Sequence, residues 1–500
     1  MMKDRLPTKL KTGTFVNWEG VVEDIDTPLL RGLDPNQDNE NYKKEVKKTF
    51  KNLELGHLGN NIVRLWTRNM VDVNQERFID NLVERLSNPF IDRSVIEQIH
   101  MGVEELIGNP SFFGSVQKGL HNHHIEIIDI KQSFLAGNID FITFERGSLE
   151  SYDILRKVLL KSDNKLFRDL ADIFGSFHIV GNPVADYYNI VNSRHLKIVG
   201  DINGFRLYQK KDSLYVDSLD KKNFTNEEKF IKICMEMSVQ RQKAYKILEG
   251  SSDFLEYIAA MALWGNINKF TKPTFNNDEV LDIKEGYHPL LISRNGINFN
   301  PIVTHDTLLT PDVKVVAVTG PNAAGKTTYI KELGLISSLA QSGSYVSAKM
   351  ANLPVQRKFL THFGSKDDIM ENLSLYQAEI HELNVCLSKL EKGVLFICDE
   401  LFRGTESGEN GGTRLHKALV ESLVYDYQGR TYLSSHYHES LAQQRDLQGI
   451  KFARFGFNGD GRPSYKLQSG IDKGGYAVQS AIDAGLDKKV VKRLNGNGKL

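Results

Sequence analysis

The stretch Gly320-Pro-Asn-Ala-Ala-Gly-Lys-Thr327 concentrates glycines, a lysine and a hydroxyl in one short loop. Gly320 and Gly325 let the backbone turn tightly enough for successive N–H groups to converge on phosphate oxygens, and Lys326 adds a positive charge. An apolar run, Val313-Lys-Val-Val-Ala-Val318, precedes the loop, and the helix-like Tyr329-Ile-Lys-Glu-Leu-Gly-Leu-Ile336 follows it. Strand, glycine-rich turn and helix in that order read as a phosphate-binding P-loop. The expected phosphate contacts are Gly320, Pro321, Asn322, Ala323, Ala324, Gly325, Lys326, Thr327 and Thr328. A glycine-rich turn before an ordinary helix is the competing reading, and the flanking pattern disfavours it.

A P-loop alone names only a ligand, a nucleoside triphosphate. A second element, Gly393-Val-Leu-Phe-Ile-Cys-Asp399-Glu400, is an apolar strand ending in two carboxylates. Buried parallel strands read as continuous apolar runs, and their carboxyl ends lie together on one edge of the sheet. Asp399 would then hold Mg²⁺ together with the Thr327 hydroxyl, and Glu400 would act as general base toward the attacking water. A solvated acidic turn is the alternative. A third strand-like run, Arg430-Thr-Tyr-Leu-Ser-Ser-His436, ends in a histidine able to reach the γ-phosphate or the catalytic water.

The elements around these residues change character along the chain. From about Pro28 to Leu120 the pattern is helical, with Ser94 and Glu97 as a capping box and Gly108-Asn109-Pro110 as a stop. Residues 196–218 read as a small β-hairpin or three-stranded insert. Thr225 and Glu228 open a long amphipathic helix to about Leu248, and Ser251-Ser252 restarts one that runs to Trp264. After Lys272-Pro273, strand-like and helix-like runs alternate: Val313–Val318, Lys326–Leu339, Val394–Cys398, Leu415–Tyr425 and Thr431–Ser434. The expected fold is an α/β P-loop ATPase with a mainly parallel sheet in 271–500, preceded by a mostly α-helical core and lever domain in 1–270.

These motifs resemble those of the MutS family of DNA mismatch repair ATPases. The run Thr319-Gly-Pro-Asn-Ala-Ala-Gly-Lys-Thr-Thr-Tyr329 is similar to the family P-loop, Asp399-Glu400-Leu-Phe-Arg403-Gly404-Thr405 to its DE-x-x-RGT, and Ser435-His436-Tyr437-His438-Glu439 to its THYHE. Tyr287-His288-Pro289 resembles the HP motif entering the ATPase domain, and Gly475-Tyr476-Ala477 the C-terminal SYG segment. The resemblance implies an ABC-type ATPase using ATP and Mg²⁺, a homo- or heterodimer formed through the ATPase domain and its C-terminal segment, and Ser374 of one subunit reaching the nucleotide of the other. A plain helix N-cap is the other reading of Ser374. Two departures stand out. The segment Gly404–Gly412 is longer and more acidic than the family's GTST-x-DG, and the sequence before the helical core is too short for the family's mismatch-reading domain. Phe254-Leu255-Glu256 has the letters of the mismatch wedge but lies in a helical pattern, where Phe254 reads as core.

Lysine plus arginine equals aspartate plus glutamate at 63 each, so no global field draws the chain to a polyanion, and contact with DNA would need a local basic surface. Lys197, Arg206, Lys210 and Lys211 make the 196–218 insert a candidate reduced DNA clamp, although Asp201, Asp212 and Asp217 equally support a solvated hairpin. His121-Asn-His123-His124 reads as a wet helix end rather than a metal site. Three scattered cysteines, Cys234, Cys386 and Cys398, suit a reducing interior. Neither a secretory leader nor a membrane-spanning run is evident, so the expected setting is intracellular, cytoplasmic, nucleoid or nuclear. The expected function is an ATP-switched, largely sequence-independent DNA clamp in repair or recombination, without mismatch recognition. Two alternatives remain, a MutS-like ATPase regulating a protein partner and an ABC-type chromosome-structure ATPase.

Overall fold

The computed structural model describes Ile62, Trp66 and residues 90–135, 141–176, 197–202, 205–210, 213–218, 239–294, 302–363, 375–402, 411–458, 463–472, 487 and 491. The described chain divides into two compact units, which part after Asn266, the second also taking in residues 90–93.

The described part of the first unit is mainly helical: α1 Arg93–Gly108, α2 Pro110–Leu135, α3 Phe141–Leu159, α4 Lys165–Ser176 and α5 Val239–Ile267. Along α1 the buried apolar side chains are Val95, Ile96, Ile99, Val103 and Leu106, the spacing of one helical face, with His100 buried among them. Asn109 ends α1 and caps α2, its side-chain oxygen accepting from Phe112 N–H at 3.1 Å, with Pro110 at the first helical position. The restart expected at Ser251-Ser252 is absent. Both serines are buried inside the continuous α5, because the run Phe254–Ala262 is enclosed on every side and its packing outweighs the weak helix preference of serine.

Two further side-chain expectations meet tertiary partners here. Phe254 is fully buried, and Glu256 accepts a hydrogen bond from Trp66 Nε1 at 2.9 Å, so these residues serve the core. The His121–His124 run is not a wet helix end: it lies within α2, with His123 buried and His124 Nε2 3.5 Å from the Glu256 carboxylate. Sequence spacing hid that acidic neighbour because it comes from α5. Among the described residues no group of His, Cys, Asp and Glu gathers as a metal site. Strands β1 Lys197–Ile202, β2 Phe205–Lys210 and β3 Ser213–Ser218 form an antiparallel three-stranded sheet. Its register sets Arg206 opposite Asp201 on one side and Asp217 on the other.

The second unit holds β4 Thr274–Asn276, β5 Leu281–Gly286, α6 Leu291–Arg294, β6 His305–Leu309, β7 Val315–Thr319, α7 Lys326–Gln341, β8 Met350–Pro354, β9 Lys358–Phe363, α8 Leu375–Leu387, β10 Val394–Asp399, α9 Gly412–Tyr425, β11 Arg430–Ser434, α10 His438–Ala442, β12 Ile450–Arg454 and β13 Gln468–Ser469. A six-stranded sheet runs β13-β12-β7-β11-β10-β9, parallel except for β13. Strands β7 and β11 are buried at every position, as expected of central parallel strands covered on both faces. A second sheet, β4-β8-β5-β6, is largely antiparallel and did not register in the alternation of apolar runs. Its strands are short and half-exposed, as in the alternating buried and exposed pattern of β6, so they lack the continuous apolar signature. Among the described residues no helix is long and apolar enough to cross a membrane.

Candidate functional site

Strands β7, β11 and β10 lie side by side in parallel, with Val318, Ser434 and Asp399 in register near their carboxyl ends. That register brings together residues distant in sequence. The loop after β7 turns at Gly320, whose φ of 142° places any added Cβ only 2.8 Å from the Phe455 carbonyl oxygen. Glycine is required there by space and by backbone conformation alike. Ala323 also takes a positive φ, of 60°, and Gly325, at φ 109°, leads into α7. Pro321 and Ala324 are buried, Asn322 and Ala323 are exposed, and Thr327 and Thr328 are half-buried at the start of the helix.

Lys326 is 4% exposed, yet its ammonium donates to the carbonyls of Gly320 and Pro321 at 2.9 and 3.0 Å and lies 3.7 Å from Glu400 Oε1. A buried cation is tolerated because these acceptors surround it. Thr327 Oγ1 donates to the Asp399 carboxylate, 3.0 Å from each oxygen, and Ser434 Oγ donates to the same carboxylate. Glu400, at φ 51° and buried, places Oε1 2.5 Å from His436 Nε2. A non-glycine residue held at positive φ is costly and persists only where its surroundings impose it. Here the Glu400 N–H bonds to the Ser434 carbonyl at 3.2 Å, and Phe402 N–H donates to Glu379 Oε1 at 2.6 Å.

Lys326, Thr327, Glu400 and His436 border one cavity of about 850 Å³, and Asp399 is joined to it through Thr327. Its phosphate-loop end is lined by Lys326, Thr327, Thr328, Glu400 and His436, and its other walls include Leu291, Ile302, Val303, Phe455 and Tyr465. A polar end facing an apolar one is the usual lining of a site for a ligand with a charged head and a flat body. Of the sequence-predicted residues, the structure brings together the 320–328 loop, Asp399, Glu400 and His436, whereas Ser374 lies outside the described residues, as do Arg403-Gly404-Thr405 and Gly475-Tyr476-Ala477.

Residues 316–498 match the family model of MutS domain V. The chain is similar to MutS proteins. It is 32% identical over 241 residues to the DNA mismatch repair protein MutS of Leuconostoc mesenteroides, a match covering 47% of this chain and 28% of that protein. Proteins of the same name from Fusobacterium nucleatum and Carboxydothermus hydrogenoformans are each 26% identical over 81% of this chain, covering 44% and 46% of their own lengths. The chain thus spans less than half the length of these relatives.

Several participants in this site escaped sequence reading. Ser434 sits at a strand end already singled out, and its hydroxyl position beside Asp399 was available as a signal. His416 on α9 carried none. Its ring lies between Ser435 Oγ at 2.9 Å and Ser440 Oγ at 3.0 Å and stacks on Tyr437, 5.0 Å between centroids. Tyr437 in turn donates its hydroxyl to the Phe402 carbonyl at 2.6 Å and its N–H to Ser435 Oγ at 3.0 Å. This network ties the turn bearing His436 to α9 and to the turn bearing Glu400. Burial pushes the His416 imidazole down to about 4, so the ring is neutral at pH 7.

Proposed function

We propose that this MutS-like chain binds ATP with Mg²⁺, hydrolyses it, and uses the cycle to switch its hold on DNA. The observation that carries the reading is the meeting of Lys326, Thr327, Glu400 and His436 around one cavity at the carboxyl ends of neighbouring parallel strands, with Asp399 hydrogen-bonded to Thr327. Nothing else in the described chain combines a recessed cation, a paired carboxylate and hydroxyl, and a second carboxylate beside an imidazole.

Thr327 and Asp399 present only oxygen donors, which suits a small hard cation that takes one carboxylate and fills its remaining positions with phosphate and water. When bound, Mg²⁺ would offset charge on the phosphates. Lys326 needs only to exchange loop carbonyls for phosphate oxygens, keeping its charge compensated. Glu400 accepts the proton of the attacking water at a carboxylate oxygen, and His436, whose Nε2 lies beside that carboxylate, orients it and is assigned to sensing the γ-phosphate.

The DNA part of the proposal rests on the relatives, which carry the name DNA mismatch repair protein. A dimer in which Ser374 of one subunit completes the other's nucleotide site would link ATP binding to the clamp, since contacts made in one state only can shift a population. A protein partner in place of DNA is favoured by one observation: Arg206 of the insert has an aspartate opposite it on both neighbouring strands, which dilutes a basic surface.

Steady-state phosphate release by the wild-type chain and by Glu400→Gln tests the catalytic reading. Wild type should turn ATP over, and the variant should bind ATP with similar affinity while losing about a hundredfold in rate. Equal rates in the two proteins would remove Glu400 from the role of base.

A further inference from the structure

One wall of the cavity holds a buried pair with no part in the chemistry above. His305 on β6 places Nδ1 2.9 Å from Glu332 Oε2 on α7 and Nε2 3.0 Å from the main-chain carbonyl of Tyr465. A carbonyl has no proton to give, so Nε2 must carry one and donate it. The Nδ1–Oε2 contact then holds a second proton, resident on either atom. The pair is neutral overall in both forms, which is how a carboxylate that is 1% exposed is accommodated. Burial favours the protonated form of Glu332. Burial opposes charge on His305, but the Glu332 carboxylate and the Tyr465 carbonyl outweigh it. For the pair as a whole, the shared proton is firmly held.

The residue that receives the Nε2 hydrogen bond is itself unusual. Tyr465 takes φ 54°, the left-handed region that a tyrosine occupies only under strain. Its ring edge comes 3.5 Å from the position a Cβ on Gly325 would occupy, so the ring stands beside the head of α7. The His305 ring is held edge-on by Tyr329 and Phe455, at 5.3 and 5.7 Å between centroids, and the Tyr329 hydroxyl pairs with Thr307 Oγ1 at 2.9 Å. The donor that fixes Tyr465 is thus held rigidly from three sides.

We infer that His305, braced by Glu332, is a positioning residue for nucleotide: by holding the Tyr465 carbonyl it keeps that residue in its strained conformation and sets the cavity wall beside the phosphate loop. The role rests on the ATP reading given above. It assigns to the pair a task in binding rather than in hydrolysis, so substitution should raise KM for ATP and leave kcat nearly unchanged.

Two variants of the full chain separate positioning from mere packing. His305→Gln keeps an amide N–H near the place of Nε2, whereas His305→Asn is shorter and keeps only the side facing Glu332. His305→Asn should raise KM for ATP about tenfold, with kcat within about twofold, and His305→Gln should stay within about threefold of wild type. In the nucleotide-free chain, amide exchange across residues 463–469 should accelerate in His305→Asn and not in His305→Gln. Equal behaviour of the two variants in both measurements would overturn the positioning role, and so would unchanged exchange in His305→Asn. A wild-type chain that binds no ATP, checked by titration calorimetry, would instead sink the nucleotide reading and this role with it.

Discussion

Acidification should loosen the second unit through His416, and the size of the effect follows from its surroundings. The ring is fully enclosed, and burial lowers it from 6.5 to about 4. A folded state that holds the imidazole neutral binds fewer protons than the unfolded chain below pH 6.5, so this contribution is complete above 6.5 and is lost as pH falls toward 4. Between pH 7 and pH 5 the loss amounts to about 2 kcal/mol, approaching about 3 kcal/mol below pH 4. His305 acts in the opposite sense: its raised pKa gives stability that is full below its unfolded value and lost as pH rises, so it partly masks His416 in the wild type. The informative quantity is therefore the difference between wild type and His416→Gln, which keeps a donor and an acceptor for Ser435 and Ser440 but does not titrate. Urea unfolding followed by circular dichroism at pH 7 and pH 5 should show the variant losing about 2 kcal/mol less than wild type over that interval. Identical losses would refute the claim that His416 is buried neutral.

Lys326→Ala should weaken ATP binding by at least about thirtyfold, because a charge-assisted contact to phosphate is removed, and calorimetric titration of the folded variant checks it. Gly320→Ala should cost about 1–3 kcal/mol in thermal or urea stability, since its Cβ would sit 2.8 Å from the Phe455 carbonyl oxygen. A Gly320→Ala protein as stable as wild type would mean that the loop can take another path. If the partner is DNA, binding in a gel-shift panel of mismatched, branched and plain duplexes should fall steeply between 50 and 200 mM salt, by roughly tenfold or more for a few phosphate contacts. Binding that ignores salt would favour the protein-partner reading.

The local chemistry of the site was legible in the chain itself. Gly320 and Gly325 announce their conformations, Lys326 and Thr327 follow at fixed offsets, and the apolar runs ending at Asp399 and His436 point their polar ends to the same sheet edge, because parallel strands must align their carboxyl ends. The core reading of Phe254 was legible for a similar reason, since helical periodicity is a local property. Only the tertiary structure decided the rest. Glu256 beside His124, His416 between two serines, and His305 between Glu332 and Tyr465 are partners separated by 19 to 160 residues, and no spacing rule links them. The continuity of α5 through Ser251-Ser252 was likewise settled by packing. Sequence thus determined which groups could meet a phosphate, through backbone conformation and periodicity, whereas the buried polar pairs that hold those groups in place exist only because folding removed water from them and left each to find the other.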